Sequence, residues 1–183
     1  MHIAICNNQI MDAQKQIMKP QDVIILLKMV SCKDKPWTQL TLADELFISQ
    51  SEISASISRS KYANLLHSNG KTVMVLSFLE FLQFGIRYVF PVKPGPVARG
   101  VPTAHSAAPL KERIMSNENY VWPSAKGQAR GHSIIPLYPS VVDAIKLDAS
   151  LYEMLALVDV LRVGKAREKE IAIGELKKRI LDE

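Results

Sequence analysis

The sequence predicts an α+β protein, mainly helical, with a helix-turn-helix unit near its N-terminus, a Pro/Gly-rich region of short strands, and C-terminal helices. Three observations carry this expectation. Apolar residues recur at helical spacing over "KPQDVIILLKMVS" and over "DASLYEMLALVDVLRVG". Between these runs, "TLADELFISQSEISASISRS" reads as two short helices joined by a tight turn. From Tyr88 the composition changes: all of the prolines except Pro20 and Pro36 lie between Pro91 and Pro139, with glycines among them, a pattern that long helices cannot hold.

The segments divide into a tail over 1–18, a helix-turn-helix domain with a following helix over 19–87, the Pro/Gly-rich region over 88–146, and helices over 147–183. In the first helix, Pro20 suits the first helical position, and Val23, Leu26, Leu27 and Val30 follow at helical spacing. Pro36 in "CKDKPW" cannot continue that helix. Thr41 is the expected cap of the next one, which carries Leu42, Ala43 and Leu46. Ser49 and Glu52 fit a capping box, and Ile48 and Ile53 stand where a hydrophobic staple places them. Ile53 and Ile57 then share one face. Phe47 occupies a turn position where Gly is usual, so its side chain must point outward or the turn must differ.

The run "KPQDVIILLKMVSCKDKPWTQLTLADELFISQSEISASISRSKYANLL" resembles the DNA-binding domain of MarR-like winged-helix transcriptional regulators. The Pro-x-Asp helix start, "TLADEL", "SQSEIS" and "ANLL" carry the resemblance, which covers about residues 19–70. It implies a winged helix-turn-helix fold, with a β-hairpin wing after the second helix of the motif. Asn69-Gly70 is a hairpin-turn signal, but "SFLEFLQFGI" soon after it reads as a helix with Phe78, Leu79, Leu82 and Ile86 on one side.

Two later stretches nearly repeat: "YVFPVKPGPVARG" from Tyr88 and "YVWPSAKGQARG" from Tyr120. Each reads as a strand ending at Pro91 or Pro123, a turn at Gly95 or Gly127, and a return segment beginning Arg99-Gly100 or Arg130-Gly131. The expectation is two similar strand-turn units side by side in one sheet. Arg99 and Arg130 are a candidate paired anion site, since guanidinium groups capture anions bidentately. In the last segment Asp148 or Ser150 is the expected cap, Leu151, Met154, Leu155, Val158 and Leu161 form an apolar stripe, and Gly164 ends or kinks the helix. The rest, with Ile171, Ile173, Leu176 and Ile180, reads as a packed second helix or as a bent continuation.

Composition sets the outer limits. The 183 residues are 48% hydrophobic and 22% charged, ordinary for a globular chain that needs no disulfide or metal to hold its core. Cys6 and Cys32 are the only cysteines, which argues against a zinc site or a disulfide scaffold and suits a reduced, cytoplasmic setting. The N-terminus has no signal-peptide pattern, and no apolar run is long enough to span a membrane. His2, His67, His105 and His132 form no spaced ligand pair, so no metal or cofactor is expected. No acid, base and nucleophile set can be named, so an enzyme is not expected. The net charge of +5 is compatible with nucleic acid.

With Ile53 and Ile57 facing inward, Ser49, Gln50, Ser51, Ser54, Ala55 and Ser58 fall at the start and on the outer face of the second helix of the motif, where base edges are read. Arg59, Lys61 and Tyr62 lie further along and suit phosphates. The expected function is therefore a sequence-specific regulator bound to double-stranded DNA as a homodimer, with the Leu151, Leu155, Val158 and Leu161 stripe offering the dimer surface. The Pro/Gly-rich region would sense a small ligand, bind a protein partner or brace the DNA domain. The alternative is a partner-binding module such as an antitoxin, a class that also uses winged helices.

Overall fold

The computed structural model describes residues 16–32 and 35–181, so most of the expected N-terminal tail lies outside the described residues. The architecture is α+β. Helices from both ends of the chain enclose one core, and a small three-stranded sheet is held against them.

Helix α1 (Pro20–Cys32) starts at its proline, as expected. Val23, Ile24, Ile25, Leu26 and Leu27 are each at most 1% exposed. A helix buried around its whole circumference must be central, and α1 packs against α2 (Gln39–Leu46), α3 (Gln50–Tyr62) and α7 (Ala149–Val163). It ends ahead of Pro36. The cap of α2 is Thr38, not Thr41. Thr38 accepts the Thr41 N–H at 3.1 Å, and Thr41 Oγ1 accepts the Thr38 N–H at 2.8 Å. Thr41 is thus the third helical residue of a reciprocal box, and the helix begins three residues earlier than the sequence suggested.

Phe47 ends α2 in the left-handed conformation, with φ 54° and ψ 42°, and its side chain stays 56% exposed. The tight turn is kept without glycine, and the bulky ring points outward. Ile48 and Ile53 are buried behind it. Ser49 caps α3 by accepting the Glu52 N–H at 3.3 Å. Glu52 does not reach back, so the box is only half formed; its carboxylate is drawn to Arg59 and Gln21 instead.

After α3 the chain makes a minimal hairpin with a single bridge, Leu66 to Val73. The turn is closed by Asn69 Oδ1, which accepts the Lys71 and Thr72 N–H groups, and by Gly70 at φ 69°. Helix α4 (Val75–Glu80), a π turn (Phe81–Gly85) and α5 (Ile86–Val89) then run on as one rod. Phe78, Leu79, Leu82 and Ile86 are buried on one side of it, as expected. Apolar residues spaced by four overshoot an α-helical turn by about 40° per step. The wider π turn takes up that drift and keeps Phe78, Leu82 and Ile86 aligned on the core.

Strands β1 (Val97–Pro102), β2 (Tyr120–Pro123) and β3 (Ala129–Ser133) form a miniature closed barrel in which each strand pairs with the other two. The repeat is therefore only half structural. Its second copy supplies β2 and β3, but Tyr88-Val89 of the first copy ends α5 and is no strand. The rod before it extends as helix until Pro91 forbids continuation. Only the Arg-Gly halves meet, with Arg99 opposite Arg130. A barrel this small has no room for side chains inside. A Cβ on Gly100 would collide with the Trp122 carbonyl, and one on Gly127 with the Gly100 backbone.

Helix α6 (Val141–Ala144) leads to α7, and α8 (Ala166–Leu181) packs back on α7. Asp148 is the α7 cap, accepting the Leu151 N–H at 2.9 Å. Gly164 ends α7, so two helices form and not one bent helix. Leu151, Leu155, Val158 and Leu161 are at most 3% exposed within this one chain. The expected dimer stripe is thus the inner face of α7, covered by α1, α8 and the segment before β2. A single amphipathic pattern cannot say whose surface covers it.

One turn of α7 fastens the sheet. Asp159, 2% exposed, accepts from Thr103 Oγ1 at 2.8 Å and Trp122 Nε1 at 2.6 Å. Its other oxygen pairs with Arg162 at 2.7 Å. Arg162 also donates to the Phe90 carbonyl at 2.9 Å and the Ile135 carbonyl at 3.2 Å, the segments entering and leaving the sheet. Burial pushes the Asp159 carboxyl up from its ordinary range, while Arg162 and the two neutral donors oppose that push. Replacing Asp159 by Asn leaves Arg162 buried without its counter-charge, so Asp159→Asn is expected to lose about 3–5 kcal/mol in chemical denaturation. Stability within about 0.5 kcal/mol of wild type would show that the pair is not what holds the sheet.

On α8, Glu175 accepts from Arg179, Lys178 and Arg113. The Arg179 hydrogen bond is the main reason its carboxyl is pushed down to about 2. A depressed folded pKa contributes stability that is complete above the unfolded value, near 4.5, and is lost as pH falls through 2. Glu175→Gln should therefore be less stable than wild type at neutral pH, by about 1–3 kcal/mol given the exposure of Arg113 and Lys178. The difference should shrink below pH 4.5 and vanish near 2; a pH-independent difference would assign the loss to packing.

Candidate nucleic-acid interface

The interface is built on α3, and its placement begins with α1. Asp22, fully buried, accepts the Lys19 N–H at 2.8 Å and so closes the first turn of α1. The same carboxylate takes Arg59 of α3 in a two-point contact, Nε to Oδ2 at 2.8 Å and Nη2 to Oδ1 at 2.6 Å. Arg59 Nη2 also donates to Glu52 at 2.6 Å, and Gln21 donates to the same Glu52 oxygen at 3.0 Å. Burial alone would raise the Glu52 carboxyl, but Arg59 and Gln21 outweigh it and hold it below its ordinary range. The Asp22 hydrogen bond in turn holds the Arg59 guanidinium up.

Arg59 is therefore not a phosphate contact. It is 3% exposed and fixes α3 to α1. Its neighbours on the inner face are Ser56 and Ser60, both buried, together with Ile53 and Ile57.

The remaining predicted residues fall where the helical phase put them. Ser49, Gln50, Ser51, Ser54 and Ser58 are exposed, and Ala55 is half-buried. Tyr62 is 66% exposed at the end of the helix. Lys61 is half-buried, with its stem over Gly70 of the short hairpin. The outward face is thus small, polar and uncharged. Ser49 and Ser51 hydroxyls lie 3.1 Å apart at the helix start, and the Ser58 hydroxyl returns to the Ser54 carbonyl at 3.3 Å. Such a face can follow a groove wall, and Gln50 can offer a donor and an acceptor side by side.

Of two further exposed residues, the sequence reading had left Phe47 to point outward or to change the turn, and it missed Lys71. Phe47 stands just ahead of Ser49, and Lys71 sits in the hairpin turn after Gly70. The signal for Lys71 was present in "NGK", a cation at the tip of a turn. Behind the motif, Lys28 pairs with Glu45 at 2.6 Å and Asp148 at 2.7 Å, joining α1, α2 and the start of α7. These residues line a cleft of about 620 Å³ with Ser31, Cys32 and Trp37. Burial pushes the Cys32 thiol up, away from the thiolate form. Among the described residues no group of His, Cys, Asp and Glu could hold a metal ion, and no helix is long and apolar enough to cross a membrane.

Arg59→Gln is expected to destabilise by about 3–5 kcal/mol, because Asp22 would remain buried and unpaired. Ser54→Ala should stay within about 0.5 kcal/mol of wild type. Equal midpoints for the two variants in urea would contradict this assignment of inner and outer faces.

Compared with models of protein families, with curated proteins and with solved structures, the chain matches none, and the reading of its function rests on the geometry of α3 and its surroundings.

Proposed function

We propose that this protein is a sequence-specific DNA-binding transcriptional regulator that reads a major groove with α3. The observation that carries the reading is the outward face of α3. Ser49, Gln50, Ser51, Ser54 and Ser58 are exposed, while the one Arg near them is withdrawn into the core. The helices α1 to α3 and the 67–72 turn would act as a winged helix-turn-helix, with Lys71 as the phosphate contact of a minimal wing. The N-terminus of α3 favours a phosphate. Gln50 would pair with adenine, Ala55 would meet a thymine methyl, and the serines would accept either partner. Lys61 and Tyr62 would contact the backbone further along.

A two-fold dimer would suit a two-fold operator. Its contact would lie elsewhere than on the α7 stripe, which the chain itself covers. A small effector would fit the cleft behind the motif, whose walls join α2 to α7. The antitoxin reading draws on the same helices, and no feature of the fold favours it over a regulator.

Selection of genomic fragments by the purified protein, followed by titration against salt, tests the reading. Affinity should fall steeply between about 50 and 200 mM salt, as phosphate contacts release counterions. Gln50→Ala should weaken the selected site about 5–150-fold, the range of one lost base contact, and leave the salt slope unchanged. No binding to any duplex at low salt would end this proposal.

A further inference from the structure

The three-stranded sheet carries cations and no carboxylate. The chain has no acidic residue between Glu80 and Glu112, nor between Glu118 and Asp143, yet these stretches hold Lys93, Arg99, Lys126 and Arg130. The β1–β3 register sets Arg99 directly across from Arg130. Residues directly opposite on an antiparallel ladder project from one face, with Cβ atoms about 5 Å apart, and like charges so placed repel. Both residues are exposed, and neither belongs to an ion pair among the described residues. A sheet that tolerates this arrangement is locally unfavourable unless an anion lies between the two groups.

The surroundings place the pair. The β2–β3 turn folds over β1 at this point: the Ser124 N–H donates to the Arg99 carbonyl at 3.0 Å, and Gly127 lies against Gly100. Lys126 is therefore at the same end of the sheet. Beyond it stands Asp143 of α6, which Lys146 and, more weakly, Lys126 hold below the ordinary carboxylate range. Ser140, just ahead of α6, donates to the Leu46 carbonyl at 2.6 Å, on the last residue of α2 before the turn into α3. The charge of Lys126 is thus felt at α6, and the Ser140 hydroxyl just ahead of α6 is held to the α2–α3 turn.

We infer that Arg99 and Arg130 form a phosphate clamp, two guanidinium groups taking one phosphate between them, and that this phosphate belongs to the DNA backbone beside the groove read by α3. The choice of DNA as its source rests on the proposed function. The clamp itself rests on the register and on the missing acids. Planar guanidinium groups suit two-point contact with phosphate oxygens. Such contacts would fix the sheet on the duplex without reading sequence.

The test uses the full chain with Arg99→Gln, Arg130→Gln, the double variant, and Lys93→Gln as a control outside the clamp. Circular dichroism and thermal melting check folding. In buffer without phosphate, each clamp variant should melt about 1–3 °C above wild type as the repulsion is relieved. On DNA, each single variant should bind about 5–10-fold more weakly, with the magnitude of the salt slope reduced by about one. The double variant should be little worse than either single, because one shared phosphate is lost once. Lys93→Gln should keep the wild-type slope. In a second arm, inorganic phosphate should raise the wild-type melting temperature and leave the double variant unmoved.

A shared, non-additive loss on DNA supports the clamp as stated. Unchanged DNA binding, with the phosphate shift lost in the double variant, overturns DNA as the source and keeps the clamp for a free phosphate group. A wild type that binds no duplex refutes the proposed function alone, and the phosphate arm then decides the clamp. Variants indistinguishable from wild type in both arms overturn the clamp.

Discussion

The arrangement of the chain depends on the buried pair Asp159–Arg162. The sheet cannot hold itself. Its interior is backbone and glycine, so it has no side-chain core of its own. What fixes it is one turn of α7, where Asp159 takes Thr103 and Trp122 and Arg162 takes the carbonyls of Phe90 and Ile135. Two charges out of water are unfavourable unless their hydrogen-bonding groups are met, and here the segments that must be positioned supply those partners. Trp122 adds packing against Tyr152, with ring centroids 5.8 Å apart, and the Tyr152 hydroxyl donates to the Pro102 carbonyl at 2.7 Å. The same device recurs in the helical half, where Asp22 and Arg59 set α3 against α1. In both halves a buried acid and Arg fix orientation, and apolar contact supplies the bulk of the burial.

The helical half was legible because its signals are local. Helix α1 announced itself through Pro20 and its apolar run, the α2–α3 turn through Ile48, Ser49 and Ile53, and the rod through Phe78, Leu82 and Ile86. What the sequence hid was long-range. Arg59 looks like a surface cation until its partner, thirty-seven residues away, is seen to be Asp22. The α7 stripe looks like an interface until the chain is seen to cover it. The Tyr-Val-aromatic-Pro repeat misled for the opposite reason: tetrapeptides differing only in Phe90 against Trp122 took the structure of their neighbours, helix after Ile86 and strand after Asn119.

The candidate site was readable to the same extent. Subtracting Ile53 and Ile57 left the exposed serines and Gln50 correctly placed, because helical phase decides that question. Phase alone gave no way to tell Arg59 from Ser58, since a long side chain can turn inward when a carboxylate waits there. The opposition of Arg99 and Arg130 was also beyond reach. Similar spacing from two tyrosines permits many registers, and the pairing seen needs β1 and β3 to come from different copies of the repeat.

The π turn at Phe81–Gly85 makes the length of this rod matter more than its composition. A helix transmits orientation by residue count, and each residue turns everything after it by about 100°. Closing the π turn into an ordinary α-helix with no residue removed would bring back the overshoot of about 40° at each four-residue step. Over the two steps from Phe78 to Ile86 it would swing the end of the rod through most of a right angle and carry the Phe90 carbonyl away from Arg162. Side-chain changes along the exposed edge of the rod leave that angle alone. The segment should therefore accept substitution far more readily than an insertion or deletion outside the π turn, and its length there is a constraint on how the two halves of the molecule can evolve apart.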